Sequence, residues 1–168
     1  MMNNCLLKPN WEPALSIPYI PIDHLIKRNI NALIIDVDKT LIHGKEIIIL
    51  DCVREWIFNA QKHFRLHLLS NNPSEKRIRT VATELNLTYT SGASKPSRKA
   101  LRKTIDRFKL NPSKVAIIGD RIFTDILAGN RLGLYTVLVS PIGPDGLPCS
   151  NKSIQQMEKA ISILLGAK

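Results

Sequence analysis

The sequence has few cysteines and no long hydrophobic run. Its three cysteines, Cys5, Cys52 and Cys149, are scattered and form no C-x-x-C pair. An odd number without that spacing argues against a disulfide framework and a zinc site, and it is typical of a reducing cytosol. We expect Cys52 to pack as a small apolar residue. The longest apolar runs have about four to five residues, as in 47–50, whereas a membrane-spanning helix needs roughly 20. No secretory signal pattern is visible, so we expect a cytoplasmic protein.

Acidic residues are scarce relative to basic ones. The chain has 24 Lys and Arg against 14 Asp and Glu, a net charge of +10. The basic side chains are spread along the predicted helices, which is typical of a solvated basic face. The alternative is attraction to a polyanion, either an anionic membrane surface or nucleic acid. With two Trp, three Tyr and four Phe, the chain shows no aromatic and basic stacking platform, which disfavours nucleic acid.

Short apolar runs alternate with amphipathic segments along the chain. This alternation predicts an α/β fold, a sandwich with a mainly parallel central sheet. The length of 168 residues fits one domain over 1–168, with a proline-rich leader (1–30) packed on the core and a tail with a C-terminal helix (140–168). The predicted strands are 32–37, 66–69, 87–89, 115–118 and 134–139. The predicted helices are 22–28, 50–63, 74–85, 97–108, 124–132 and 153–165.

Polar side chains follow several of the predicted strands, where ligand crevices form in parallel α/β sheets. They are Asp36 and Asp38 after the first strand, Ser70 and Asn71 after the second, Lys95 before the helix 97–108, and Asp120 and Asp125 after the strand 115–118. Carboxylates, a hydroxyl and an ammonium at one edge of the sheet suit phosphoryl transfer. A phosphate ester resists attack because of its own negative charge, so its hydrolysis needs a nucleophile, a counter-charge and a proton donor.

Each residue type has a role in that chemistry. Asp36 can attack phosphorus through a carboxylate oxygen and form an aspartyl-phosphate. Asp38 can hold a proton and donate it to the leaving oxygen. Asp120 with Asp36 supplies hard oxygen ligands for Mg²⁺. Ser70 and the backbone N–H groups beside it can hold phosphate oxygens.

Lys95 adds positive charge, and Asp125 can orient Lys95 or a metal-bound water. Plainer interpretations stay open for three of these elements. The segment 70–72 could be a helix-capping turn, Lys95 a surface lysine, and Asp125 an acid that favours a helix dipole.

The histidines do not point to a metal site. His24, His63 and His67 do not cluster in the sequence, and His43 beside Gly44 is more typical of a turn residue than of a leaving-group contact.

Four stretches, "DVDKT", "LLSNN", "ASKP" and "GDRIFTD", resemble in order and spacing the four motifs of the haloacid dehalogenase (HAD) superfamily of phosphohydrolases. The resemblance implies a Rossmann-like core, Mg²⁺ dependence, Asp36 as nucleophile and Asp38 as general acid and base. It further implies that the Asp38 backbone carbonyl and Asp120 bind the metal, with Asp125 in support. Ser70 and Lys95 would bind phosphate, and Thr40 would support the loop.

The gaps between these motifs are too short for a cap domain. Only 29 residues separate Thr40 from Ser70, and 22 separate Asn72 from Lys95. An open crevice suits a substrate whose bulk stays outside, such as a lipid head group, a protein side chain or a nucleic-acid end.

The stretches "WEPALSIPYIPIDHLIKRNINALIIDVDKTL" and "GDRIFTDILAGNRLGLYTVLV" resemble the capless YqeG-like group, which is related to phosphatidylglycerophosphate phosphatases. That resemblance implies release of phosphate from phosphatidylglycerophosphate. It also suggests a use for the positive charge, in peripheral contact with the anionic inner face of a membrane. The alternatives are a polynucleotide-end or phosphoprotein phosphatase, and a non-catalytic phosphate-binding module.

Two further features of the sequence are not explained by the four motifs. Lys39 stands where relatives carry a small or amide residue, and its role is not assigned. In the C-terminal helix Ile154, Met157, Ile161, Leu164 and Leu165 form an apolar stripe, which we expect to pack into the core rather than contact a membrane.

Overall fold

A five-stranded, all-parallel sheet forms the centre of the protein in a computed structural model that describes residues 6–149 and 153–166. The strands are β1 (Ala32–Ile35), β2 (Arg65–Leu69), β3 (Thr88–Thr90), β4 (Val115–Gly119) and β5 (Tyr135–Leu138), in the order β3-β2-β1-β4-β5. This confirms the predicted α/β class and its parallel sheet.

Helices cover both faces of the sheet. They are α1 (Ile22–Lys27), α2 (Asp51–Gln61), α3 (Glu75–Leu85), α4 (Arg98–Phe108), α5 (Leu127–Asn130) and α6 (Ser153–Leu164). Alternate residues of β1 divide the core, because Leu33 and Ile35 belong to the cluster with α2 and α3, whereas Ala32 and Ile34 belong to the cluster with α4. All four are fully buried, as expected of a strand covered on both faces.

The sharpest departure from the predicted helices follows β4. The segment 124–132 was expected to be one helix, but a π-helical turn (Ile122–Ile126) precedes the short α5. The Asp125 carboxylate folds back here and accepts a hydrogen bond from the Arg121 N–H at 3.2 Å. A Cβ at position 119 would lie 2.3 Å from this carboxyl group, so only Gly119 lets Asp125 approach β4 this closely.

The leader extends the sheet at its β5 edge. The Trp11 N–H donates to the Thr136 carbonyl at 3.1 Å, and the Leu138 N–H donates to the Trp11 carbonyl at 2.9 Å. The Trp56 indole of α2 also donates to the Ile20 carbonyl at 2.9 Å. The two backbone hydrogen bonds of Trp11 pair the β5 edge, which would otherwise be open. Cys5 lies outside the described residues.

The prediction that the apolar stripe of α6 packs into the core is wrong. Its side chains are exposed, from 38% for Ile154 and Ile161 to 85% for Leu164. The buried face of α6 is polar instead and carries Glu158 and Ser162. The polar loop after β4 binds this face, so hydrogen bonding rather than apolar burial orients the helix. None of the helices in the described ranges could span a membrane, since none is long and apolar enough.

No inserted domain lies over the carboxyl edge of the sheet within residues 36–97. Between β1 and α2 lies only the loop 36–50, and between β2 and α4 lie only α3, β3 and their connections. We call residues 43–50 the flap.

Candidate active site

The predicted site residues meet at the carboxyl edge of the sheet. Strand β1 is central, with β2 and β4 paired on either side of it. Asp36 directly follows β1, Ser70 follows β2 and Asp120 follows β4. The Asp36 N–H donates to the Ile118 carbonyl at 2.9 Å, which continues the β1–β4 pairing into the site.

Lys95 is the buried cation of the site. Its ammonium lies 2.6 Å from a carboxylate oxygen of Asp36, 2.6 Å from one of Asp125 and 2.8 Å from the Leu69 carbonyl. These three acceptors match the three hydrogens of an ammonium. Burial alone would lower the pKa of Lys95, but Asp125 and Asp36 outweigh it and raise the pKa above its ordinary value. The alternative that Lys95 is a surface lysine is therefore wrong.

Asp36, Asp120 and Asp125 form a cluster of carboxylates. Each offers one oxygen within 4.8 Å of the others, and each side chain is almost inaccessible to solvent. Burial raises the pKa of Asp36 despite the Lys95 ammonium, and the charge of Asp125 adds to the rise. Burial likewise raises the pKa of Asp120 to about 8, and the charges of Asp36 and Asp125 add to it. The Lys95 ammonium contacts Asp36 and Asp125, so one buried ammonium accompanies three buried carboxyl groups.

This imbalance fits a divalent cation. Buried carboxylate oxygens are the hard ligands that Mg²⁺ prefers, and a cation there would offset the like-charge repulsion. Within 6–149 and 153–166 this cluster is the one group of three or more His, Cys, Asp or Glu with metal-binding spacing. It contains no histidine, in line with the sequence.

The Asp38 side chain stands apart from this cluster. One of its oxygens accepts a hydrogen bond from Arg77 Nε at 2.9 Å, and the other accepts one from Asn72 Nδ2 at 3.1 Å. Arg77 also donates to the carbonyls of Gly44 and Lys45 in the flap. Arg77 therefore joins the predicted general acid to the flap.

Ser70 and Asn71 occupy the loop after β2 but differ in what their side chains bind. The Ser70 hydroxyl accepts a hydrogen bond from the Asn72 N–H at 3.0 Å and lies 3.5 Å from Asp38. The Asn71 side chain is held by the Lys95 backbone, with 2.6 Å to its N–H and 2.9 Å to its carbonyl. Asn71 thus positions Lys95, and a phosphate contact from Asn71 would have to come from its backbone N–H.

Thr40 is fully buried in the loop after β1. Three backbone N–H groups, those of Thr40, Leu41 and Ile42, donate to the Val37 carbonyl and close this loop. The Thr40 hydroxyl has no hydrogen-bond partner among the described residues. A supporting role for this hydroxyl stays a prediction.

Several residues that hold the site in place were not predicted from the sequence. Arg77 was placed with the solvated basic face, but its side chain is only 13% exposed. Arg121 is paired with Glu158 of α6 at 2.5 Å, and Gln155 Nε2 donates to the Asp120 and Val139 carbonyls at 2.8 Å. No local pattern marks these residues, because their partners lie 16 to 39 positions away in the chain. His43 Nδ1 donates a hydrogen bond to the Ile142 carbonyl at 2.9 Å.

Known proteins are similar to this chain in sequence and in fold. The HAD-hydrolase-like family model matches residues 92–141. The "Probable phosphatase YqeG" of Bacillus subtilis is 30% identical over 132 residues, which cover 78% of this chain and 76% of that protein. The mitochondrial phosphatidylglycerophosphatase GEP4 of Saccharomyces cerevisiae is 41% identical over 56 residues, 33% of this chain and 28% of that protein. Among solved structures, the 3-deoxy-D-manno-octulosonate 8-phosphate phosphatase of Yersinia pestis superposes with a TM-score of 0.53 at 21% identity, covering 86% of this chain and 87% of that chain.

Fold and carboxylate cluster together define a capless α/β phosphohydrolase. The match along most of the YqeG sequence narrows the assignment further. The chain belongs to the HAD superfamily and, within it, to the YqeG-like group of phosphatases.

Proposed function

We propose that this phosphatase removes the terminal phosphate of phosphatidylglycerophosphate, yielding phosphatidylglycerol, through an aspartyl-phosphate on Asp36. The observation that carries the mechanism is the contact of Asp36 with the buried Lys95 at 2.6 Å, at the end of the central strand. The yeast relative, itself a phosphatidylglycerophosphatase, supports the substrate.

The reaction has two chemical steps, formation of the aspartyl-phosphate and its hydrolysis. The Asp36 oxygen that Lys95 does not bind attacks phosphorus, the bond to the ester oxygen breaks, and Asp38 donates a proton to the leaving oxygen. Water then attacks the phosphorus of the aspartyl-phosphate and gives its proton to Asp38. Inorganic phosphate leaves and Asp36 is restored. In both steps the Lys95 ammonium supplies positive charge beside the phosphoryl group, and the Ser70 hydroxyl can donate a hydrogen bond to a phosphate oxygen.

Asp36, Asp120 and the Asp38 backbone carbonyl would hold Mg²⁺, with Asp125 in support. When bound, the ion neutralises charge on the transferring phosphoryl group. Lys95 keeps Asp36 and Asp125 in place, and the Asp125 carboxylate in turn fixes the Arg121 backbone beside Asp120.

The catalytic proposal is tested by Mg²⁺-dependent phosphate release. We would offer phosphatidylglycerophosphate in mixed micelles, phosphopeptides, 3′- and 5′-phosphorylated oligonucleotides and sugar phosphates. We expect the lipid to have the highest kcat/KM, EDTA to abolish turnover and Mg²⁺ to restore it. Asp36→Asn is expected to lower kcat by about 10³-fold or more, whereas Asp106→Asn, an exposed site on α4, leaves it unchanged.

Retention of wild-type turnover by Asp36→Asn would exclude the covalent mechanism. A higher kcat/KM for an oligonucleotide or a phosphopeptide would replace the lipid as substrate. Absence of turnover on every substrate would favour a non-catalytic phosphate-binding module.

The same proposal includes peripheral contact with an anionic membrane. The exposed stripe of α6 supports it, since Met157 is 58% and Leu164 85% exposed, and the net charge of +10 favours an anionic surface. Such contact would bring an open, capless crevice to a lipid head group and would place the protein on the inner face of a membrane.

Vesicle flotation tests this contact. We expect binding to vesicles rich in anionic phospholipid and weak binding to zwitterionic ones. The double variant Met157→Glu and Leu164→Glu should lose binding. A control with the same added charge, Gln156→Glu and Ala160→Glu, should retain more of it. Equal loss in both variants would mean that charge alone, and not the apolar stripe, accounts for binding.

A further inference from the structure

A second cavity adjoins the catalytic crevice on the side of α6. Its volume is about 310 Å³, and it shares Lys39, Asp120 and Arg121 with the catalytic crevice. We call it the side cavity. It lies between the start of the flap, the loop after β5 and the first turn of α6, and its further lining includes His43, Ile142 and Ile154.

Lys39 stands at the junction of the two cavities. Its backbone is fixed on both sides, because its N–H donates to the Ile42 carbonyl and its carbonyl accepts from the Ile142 N–H, each at 2.8 Å. Its side chain is exposed. No carboxylate in residues 6–149 or 153–166 lies within 4.0 Å of its ammonium.

The phosphoryl site does not need this charge. Lys95 already supplies a buried ammonium against Asp36 and Asp125. Arg121 and Lys39 line both cavities together with Asp120, and their charges oppose the rise in its pKa that burial causes. Two cationic side chains, Lys39 and Arg121, thus lie at the junction of the cavities. Arg121 also forms an ion pair with Glu158.

The proposed substrate carries a second anion in a matching place. Its leaving group contains a phosphodiester, which a three-carbon glycerol unit joins to the phosphate being removed. With that phosphate beside Asp36, the glycerol unit must leave the catalytic crevice through an adjoining space. A cation at the opening of that space can bind the phosphodiester by a charge-assisted hydrogen bond, and the exposed side chain of Ile154 can contact the lipid beyond it.

We propose that the side cavity is a subsite for an anionic group on the leaving portion of the substrate, with Lys39 as its main cation and Arg121 as its second. This rests on the proposed phosphatase function and specifies its substrate class: phosphomonoesters whose alcohol carries a phosphodiester. Lys39 then acts in specificity and not in the chemical step.

Kinetics on two substrates test the subsite. Lys39 has a φ of 65°, a conformation that Asn tolerates well, so Lys39→Asn should fold normally. We expect its kcat/KM to fall about 10- to 100-fold on short-chain phosphatidylglycerophosphate and to stay within about twofold of wild type on glycerol phosphate. Lys39→Arg should retain most of the activity, and Lys103→Met, an exposed change on α4, should match wild type. An equal loss on both substrates, or no loss on either, would overturn the subsite.

A binding experiment separates failure of the subsite from failure of the function. In the Asp36→Asn background, which removes the nucleophile, calorimetry measures the Kd of short-chain phosphatidylglycerophosphate. Adding Lys39→Asn should raise that Kd about tenfold or more. An unchanged Kd, or no binding before the second substitution, would overturn the subsite. Absence of turnover by the wild-type protein would overturn the proposed function alone.

Discussion

Arg77 connects Asp38, the proposed general acid, to the flap through a single side chain. Its guanidinium binds a carboxylate oxygen of Asp38 and two flap carbonyls, those of Gly44 and Lys45. A planar fork with five donors can hold three acceptors at once, whereas an ammonium cannot match that geometry. The position of Asp38 over the crevice therefore depends on a residue 39 positions away in the chain.

We predict that Arg77→Ala lowers kcat about 10- to 100-fold, because small displacements of a catalytic group cost rate steeply. KM should change less, since Lys95 and Ser70, which we propose act on the phosphate, are unchanged. Arg77→Lys should recover only part of the rate. Arg79→Ala is the control, because Arg79 pairs with Glu75 on the exposed face of the same helix. Steady-state kinetics showing wild-type kcat for Arg77→Ala would refute this positioning role.

At the scale of elements, α6 holds the loop that carries Asp120. Gln155 binds the Asp120 carbonyl, while Glu158 accepts hydrogen bonds from Arg121 Nε at 2.7 Å and the Ile122 N–H at 2.8 Å. The polar face of the helix thus lies against the active site, and its apolar face is left exposed. The exposed stripe and the face that binds the loop carrying Asp120 are adjacent on α6, since Ile154 and Glu158 are four residues apart.

We predict that Glu158→Gln lowers the free energy of unfolding by about 1–2 kcal/mol, because a partly buried Arg121 loses its charged partner. Turnover should fall as well, since the Asp120 loop loosens. Lys159→Met is the control, because it breaks the exposed ion pair between Lys159 and Glu12. It should change the free energy of unfolding by less than about 0.5 kcal/mol. Urea denaturation of both variants measures this difference, and equal effects would argue against the coupling.

His67 links two neighbouring strands. Its ring nitrogens lie 2.8 Å from the Thr88 hydroxyl and 3.0 Å from the Thr90 hydroxyl, so it ties β2 to the edge strand β3. Burial lowers the pKa of His67 to about 4, and the charge of Arg107 contributes. The folded protein therefore resists a protonation that the unfolded chain accepts near pH 6.5.

The pKa of His67 is lower in the folded state, so its contribution to stability is present above about pH 6.5 and is lost as the pH falls towards 4. We expect a loss of about 2–3 kcal/mol across this range. His67→Gln should flatten the dependence of unfolding free energy on pH in this window, whereas exposed His63→Gln should not. Identical pH profiles for wild type and His67→Gln would contradict the prediction.

For the whole molecule, net charge and the α6 stripe would act together in the proposed membrane contact. A charge of +10 attracts the protein to an anionic surface, and salt screens that attraction over about 8–10 Å at physiological ionic strength. A soluble substrate such as glycerol phosphate does not require the protein to bind a membrane.

We therefore predict that raising NaCl from about 50 mM to about 500 mM lowers the rate on phosphatidylglycerophosphate in anionic vesicles much more than the rate on glycerol phosphate. Parallel phosphate-release assays measure both. A similar salt dependence for the two substrates would show that the net charge does not act through the membrane.

The sequence by itself determined the sheet and the edge at which the site forms. Buried β1, β2 and β4 are short apolar runs, and parallel strands bring the residues after them, Asp36, Ser70 and Asp120, to one edge. The spacing of the motifs also excluded a cap, because chain length limits what can be inserted. These features depend on local pattern and chain connectivity, which can be recognised in a single sequence.

Only the tertiary structure decided which groups are partners. It places Lys95 between Asp36 and Asp125, separates Asp38 from the carboxylate cluster by pairing it with Arg77, and turns the apolar stripe of α6 outward. Each outcome depends on contacts between residues far apart in the chain, where burial and hydrogen bonding outweigh local amphipathic pattern. Periodicity shows that a helix has two faces, but the polar loop after β4 determined which face of α6 is buried.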